Sequence, residues 1–224
     1  DLIDDQSIKL QLLEKMRNLY ENVLNYPLKA FETQIRILRI DPYVFDSYKK
    51  LEDYAKKTDN FGELVDVYLE LNSKIEEPDL NLYIVLKLAE VYEQHLNNFD
   101  EAKLYYRLAL EINPIEEKAF NKLIEIFKKE NKYDEAALVI ERYCEYVKNK
   151  KYKIECLNQL SYIYENIIKN DEQLENVLIK LIELSPEEKS NYSKLEKIFY
   201  RLKEWDKLKE LYKKWQNVIE SSEE

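Results

Sequence analysis

Apolar residues return every third or fourth position along most of this chain, with charged residues between them. In Lys118–Lys129 the set Ala119, Phe120, Leu123, Ile124 and Phe127 falls on one face of a 3.6-residue period. In Tyr133–Val147 the set Ala136, Ala137, Ile140, Tyr143, Cys144 and Val147 does the same. Glu130–Lys132 between them is a short polar turn, and so short a turn makes the two helices antiparallel neighbours.

The same period predicts first helices near 7–25, 43–58, 80–96, 115–130, 151–169 and 187–202. Second helices are predicted near 27–40, 61–75, 99–112, 133–148, 171–184 and 204–219. The segment NNFDEAKLYYRLALEINP at Asn97–Pro114 recurs as NKYDEAALVIERY at Asn131–Tyr143, a shift of 34. At a shift of 72 nearly the whole chain overlays on itself. Pro42, Pro114 and Pro186 coincide, as do Tyr20, Tyr92 and Tyr164, and Leu51, Leu123 and Leu195. Tyr48, Phe120 and Tyr192 form a further series, and so do Phe61, Tyr133 and Trp205. The series Ala30, Ala102, Leu174 and Leu64, Ala136, Leu208 interleave with steps of 34 and 38. The chain is therefore expected to hold six helix pairs in three super-repeats, with units near 7–41, 42–77, 78–113, 114–149, 150–185 and 186–220 forming one helical domain. Self-similarity at this period marks a stacked array.

Local chemistry predicts where helices begin. Asn113-Pro114-Ile115-Glu116 and Ser185-Pro186-Glu187-Glu188 carry a capping-box pattern, and Asp41-Pro42 is the same site without the glutamate. Asp100-Glu101 and Asp134-Glu135 are expected in first turns of second helices, where the helix dipole favours carboxylates. That structural role is preferred over paired catalytic acids.

Composition narrows the classes. One glycine and five prolines disfavour a sheet with tight turns. A net charge of −10 repels a phosphate polymer, so nucleic acid is not an expected partner. The basic run Lys148–Lys153 is read as a solvated turn. Cys144 and Cys156 lie at apolar helix phases and are expected as small buried hydrophobes rather than a metal site. No apolar run is long enough to span a membrane. The chain starts at Asp1 without a methionine, which is read as a trimmed or processed chain, so any targeting signal would lie outside it. A soluble, cytoplasmic location is the first expectation, with the cell envelope as the alternative.

The pattern resembles the tetratricopeptide repeat (TPR). That family places a bulky residue, Leu, a small residue and Tyr on the first helix, then Ala, an aromatic, Ala and Pro on the second. The third unit supplies Val85, Leu88, Ala89 and Tyr92, then Ala102, Tyr106, Ala109 and Pro114. The fourth gives Phe120, Leu123, Ile124 and Phe127 with Ala136, Ile140 and Tyr143. The fifth gives Leu157, Leu160, Ser161 and Tyr164 with Leu174, Leu178, Leu181 and Pro186. The small first-helix residue is replaced by Arg17, Glu52, Ile124 or Glu196 in other units, which predicts looser or re-angled packing there. The resemblance implies an all-α fold, a right-handed α-α superhelix of about twelve antiparallel helices.

It also implies a concave groove lined by first helices. Candidate partner-binding residues on that face are Asn18, Tyr83, Leu86, Glu90, Lys118, Asn121, Lys122, Glu125, Asn158 and Tyr162. Their mixed amide, aromatic and charged character suits a peptide or helix of a protein partner. A two-carboxylate clamp built on Lys49, Lys118 and Lys122 is disfavoured, because Asp53 stands where the family's clamp needs an asparagine. Glu21, Glu93 and Glu165 share one phase, and Lys57, Lys129 and Arg201 another, which predicts a ladder of ion pairs between neighbouring helices. Most tyrosines are expected half-buried with the hydroxyl in water. His95 is the only histidine and no GxSxG motif occurs, so an enzyme is not expected, nor is a cofactor or metal. The leading function is a non-enzymatic interaction scaffold. The alternative is an assembly subunit that forms a homo-oligomer or larger complex through the aromatic last helix, with Trp205, Leu208, Leu211, Tyr212, Trp215 and Ile219.

Overall fold

The computed structural model describes residues 5–221, and these residues are all helix and short turn. First helices are α1 Gln6–Asn22, α3 Phe45–Thr58, α5 Pro78–Gln94, α7 Glu117–Lys129, α9 Lys150–Tyr162 and α11 Lys189–Leu202. Second helices are α2 Pro27–Ile40, α4 Phe61–Asn72, α6 Phe99–Ile112, α8 Tyr133–Tyr146, α10 Asp171–Leu184 and α12 Trp205–Ser221. A π-helical turn, Ile163–Ile168, extends α9 to its end. The expected helices are all present, within a few residues at each end.

The chain divides into two compact units, Asp1–Asn113 and Pro114–Glu224. In the first, each of α1 to α5 packs on the helix that follows it; in the second, each of α7 to α11 does so. The 72-residue register is carried by burial. Tyr48, Phe120 and Tyr192 are all buried, as are Leu51, Leu123 and Leu195. Ala30, Ala102 and Leu174 are buried on second helices, and Leu64, Ala136 and Leu208 on the alternate ones. A helix pair of this size cannot hide its apolar face alone, so these positions are filled by the neighbouring helices.

The helix starts correct one expectation. Asn113 and Ser185 are not N-caps. Both end the preceding helix, donating their backbone N–H groups to the carbonyls of Ala109 and Leu181, and Asp41 does the same to Ile37. The next helices start three residues later, with Val44, Glu116 and Glu188 at the N-cap. A residue before proline is pushed to extended backbone, so the Asn/Ser/Asp-Pro step breaks the chain before it can restart. Glu188 then caps α11 by accepting from Ser190 N–H. Asp100, Glu101, Asp134 and Glu135 do lie in first turns of second helices.

Substitutions at the small-residue position are matched across each helix pair. Arg17 donates to Gln34 at 2.9 Å, with both buried. Glu52 accepts from the Tyr68 hydroxyl at 2.9 Å, and Glu196 from Tyr212. Between those two, at the same phase, Ile124 and Ile140 are both buried and apolar. Ala89 with Tyr106, and Ser161 with Leu178, are the small-against-large solutions. The same space is thus filled by a polar pair, an aliphatic pair or a size complement. Glu52 and Glu196 accept from the facing hydroxyls, whereas buried Arg17 is matched only in part, by neutral amides, with its Nε left without a hydrogen bond.

Candidate functional site

In the first unit the first-helix face gathers around Glu52. Its Oε1 accepts from the hydroxyls of Tyr68 and Tyr83, the latter at 2.6 Å, and its Oε2 lies 3.2 Å from Lys87 Nζ. Lys87 also pairs with Glu90 at 3.2 Å, and its ammonium sits 5.5 Å above the Tyr83 ring. Tyr83 also meets Phe45, ring centroids 4.6 Å apart, and Lys49 lies over Phe45. Phe45 is exposed while Tyr68 is fully buried. Burial and the Glu52 carboxylate push the Tyr83 and Tyr68 phenols well above the ordinary tyrosine range, so both stay donors into the alkaline range where a free tyrosine ionises. An exposed aromatic is thereby seated on rings and charges that are themselves held by hydrogen bonds.

Of the expected residues in this unit, Tyr83 and Glu90 belong to that network, and Leu86 is half-buried on the same helix. Asn18 is apart from it on α1, accepting from Arg17. The sequence reading missed Glu52, Lys87 and Phe45 as members. A signal existed: Glu52 and Glu196 share a phase, each 16 residues before a tyrosine.

In the second unit Asn121 lines a cleft of about 130 Å³ with Phe120, Tyr143, Tyr152, Cys156 and Gln159. Phe120 stacks on Tyr143 at 3.8 Å to form one wall. Lys122 and Lys129 both pair with Glu125, at 3.6 and 2.7 Å. Lys118, Asn158 and Tyr162 are exposed on α7 and α9. A second groove of about 730 Å³ lies among α8, α9 and α10, with Cys144, Leu157, Leu160 and Val177 buried beneath Glu145, Lys153, Lys180 and Glu183. Cys144 and Cys156 are both buried, and the Cys144 thiol hydrogen-bonds Cys156; that bond and burial hold the Cys144 thiol up.

Two expectations need correction. The ion-pair ladder forms at Lys57–Glu21, 3.4 Å. Lys129 instead binds Glu125, Glu165 takes Lys194 at 2.7 Å, and Arg201 pairs with Asp171. Long side chains reach several acids at similar cost, and exposed pairs are worth only about 0–1 kcal/mol, so phase alone does not select them. Where the ring is buried, the tyrosine hydroxyl is not left to water. Tyr54, Tyr68, Tyr106 and Tyr164 donate to Glu21, Glu52, Glu93 and Glu141, and Tyr48 to the Pro42 carbonyl. Their rings are buried too deeply to reach solvent.

His95 caps α5 and its ring stacks on Phe61 at 3.6 Å. On α12 Leu208 and Leu211 are buried and Trp215 stacks on Tyr192 at 5.2 Å, while Trp205 and Tyr212 stay exposed. Among the described residues no group of three or more metal-binding side chains comes together, and no helix is long and apolar enough to cross a membrane.

No family model matches the sequence, and no curated protein matches it. Solved structures are similar in fold. A tetratricopeptide repeat protein from Parabacteroides merdae is 15% identical, covering 92% of this chain and 78% of that one, with a TM-score of 0.45. PilF of Pseudomonas aeruginosa is 15% identical over 86% and 81% of the two chains, TM-score 0.44. YrrB, described as a TPR protein with an unusual peptide-binding site, is 17% identical over 86% and 98%, TM-score 0.42. At such scores these likenesses say nothing of what this chain binds.

Proposed function

We propose that this chain, a helical-repeat protein with TPR-like pairing, is a non-enzymatic scaffold that holds a partner peptide or helix against its first helices. Repeat folds of this kind generally serve as protein–protein interaction modules, because stacked helices present long preformed surfaces. The observation that carries the reading is the Phe45 site. An exposed aromatic ring sits on Tyr83, flanked by the Lys49 and Lys87 ammonium groups, with Tyr83 fixed by Glu52. Rigid aromatics among satisfied polar groups are the usual anchors of protein interfaces. In the second unit, exposed Tyr162 and Asn158 on α9 and Asn121 on α7 offer contacts of the same kind. Little ordering is needed on the scaffold side, so a short partner can bind without a large entropic cost there.

The test is selection of binders from a random peptide library on the full chain, followed by calorimetry. Phe45→Ala or Tyr162→Ala is expected to weaken the selected peptides by about tenfold or more, roughly 1.4 kcal/mol. Leu138→Ala, on exposed second-helix surface, is the control and is expected to leave affinity unchanged. Loss at Leu138 with none at Phe45 and Tyr162 would move the binding face to the second helices.

A further inference from the structure

We propose that copies of this chain associate end to end, the last helix of one copy seated on the first helix of the next. The proposal is independent of the peptide site above. It rests on an internal interface that the chain displays in two separate halves.

The first half is α1. Its outward stripe of Ile8, Leu12, Met16, Leu19 and Val23 is 38–71% exposed. A shift of 72 carries Leu12, Met16 and Leu19 onto Ile84, Leu88 and Val91 of α5, which are at most 5% exposed. A second shift carries them onto Cys156, Leu160 and Ile163, equally buried. These positions on α5 share one core cluster with Leu64, Val65, Tyr68 and Leu71 of α4, and on α9 the adjoining second helix is α8. The repeat itself therefore states what covers such a stripe: a second helix with the pattern of α4 and α8.

The other half is α12, which stands at that phase. Trp205 and Tyr212 correspond to Phe61 and Tyr68 of α4, and to Tyr133 and Ile140 of α8. Tyr68 and Ile140 are fully buried, whereas Tyr212 is 44% and Trp205 54% exposed. Three shifts of 72 bring α1 of another copy into register after α12, with the alternation of 34 and 38 intact. In that register Val23 takes the place of His95, and Trp205 that of Phe61, the two rings that stack where α4 meets α5. Polar residues weaken the match. Lys209 stands where α4 and α8 have Val65 and Ala137, and Gln216 where they have Asn72 and Cys144. The contact is thus looser than its internal counterparts, and association is reversible and concentration-dependent. It is also head-to-tail, which allows chains or rings rather than a closed pair.

Sedimentation equilibrium on the full chain, from about 10 μM to about 1 mM, tests this. The weight-average mass is expected to climb above the 27.2 kDa monomer without stopping at a dimer. Leu12→Glu, or Val23→Glu on the same stripe, is expected to hold the chain monomeric. So is Trp205→Glu or Tyr212→Ser at the other end. All four positions are exposed, and circular dichroism checks that the variants keep their helices. Mixing one variant from each end leaves one intact head and one intact tail, so a one-to-one complex and nothing larger is expected. Monomer at every concentration overturns the proposal. A dimer that survives the α12 substitutions also overturns it, since that would be α1 pairing with itself.

Discussion

A phenol buried against a carboxylate holds only while the phenol keeps its proton and the acid has lost its own. Glu21 is held below the usual carboxylate range, first by the Tyr54 hydroxyl and then by Lys57. Burial, and secondarily the facing glutamates, raise Tyr54, Tyr68, Tyr83 and Tyr164 above their ordinary value of 10.0. The unfolded chain releases these phenolic protons near that value while the folded chain keeps them. Folded stability from the tyrosines is therefore full below pH of about 10 and falls as the pH rises beyond it. The Glu21 contribution has the opposite sense: it is present above the unfolded carboxylate value and is lost as pH drops through the lower folded one. Urea midpoints measured at rising alkaline pH are expected to fall from about pH 10 upward. Phenolate absorbance in the folded chain should show one group of tyrosines titrating normally and another ionising only with unfolding. A single step near 10 for all 19 tyrosines would remove the buried carboxylate pairs from the account.

Helix ends repeat as faithfully as helix cores. Asn25, Asn97 and Lys169 have positive φ, as do Asp59, Asn131 and Lys203, each series spaced by 72. No glycine serves these turns, although the left-handed region favours it; asparagine and aspartate tolerate it best of the others. After each turn a backbone N–H returns to a helix carbonyl: Tyr26 to Tyr20, Asn98 to Tyr92, Asn170 to Tyr164. Asn98 and Asn170 then cap the next helix with their side chains, while Tyr26 makes no such bond. Tyr26→Asn is expected to stabilise the chain by about 0.5–2 kcal/mol in urea unfolding, because it supplies the missing cap. No gain would mean that α2 is set by packing rather than by its first turn. The periodicity of apolar residues made every helix legible, since a 14-residue amphipathic pattern outweighs any single residue. Asn113-Pro114 misled because the same dipeptide ends one helix as readily as it starts another. The Glu52 hub was hidden for a different reason. Its partners lie 16, 31 and 35 positions away, and only the rotation of α3 against α4 and α5 brings them to one carboxylate. Phase could put Tyr83 and Glu90 on first helices and pair Glu52 with a tyrosine 16 positions on, but not show that Lys87 and Phe45 gather at the same place.

At the scale of the molecule, stability in a stacked array is a sum of unit terms and nearest-neighbour terms, so damage need not spread evenly. The division at Asn113 and Pro114 falls at the boundary between the third and fourth helix pairs. Leu51 in the first unit and Leu195 in the second occupy one register position and are both buried. Replacing either by alanine removes the same buried side chain, at a cost of about 2–5 kcal/mol. Hydrogen exchange followed by mass spectrometry can then locate where that cost is felt. Leu51→Ala is expected to lower amide protection across Asp1–Asn113 much more than across Pro114–Glu224, and Leu195→Ala to do the reverse. The two variants also control for each other, because the deleted side chain and its depth are matched. Equal loss of protection in both units from either substitution would show that the six helix pairs open as one cooperative block, and that the compact units have no separate energetic standing.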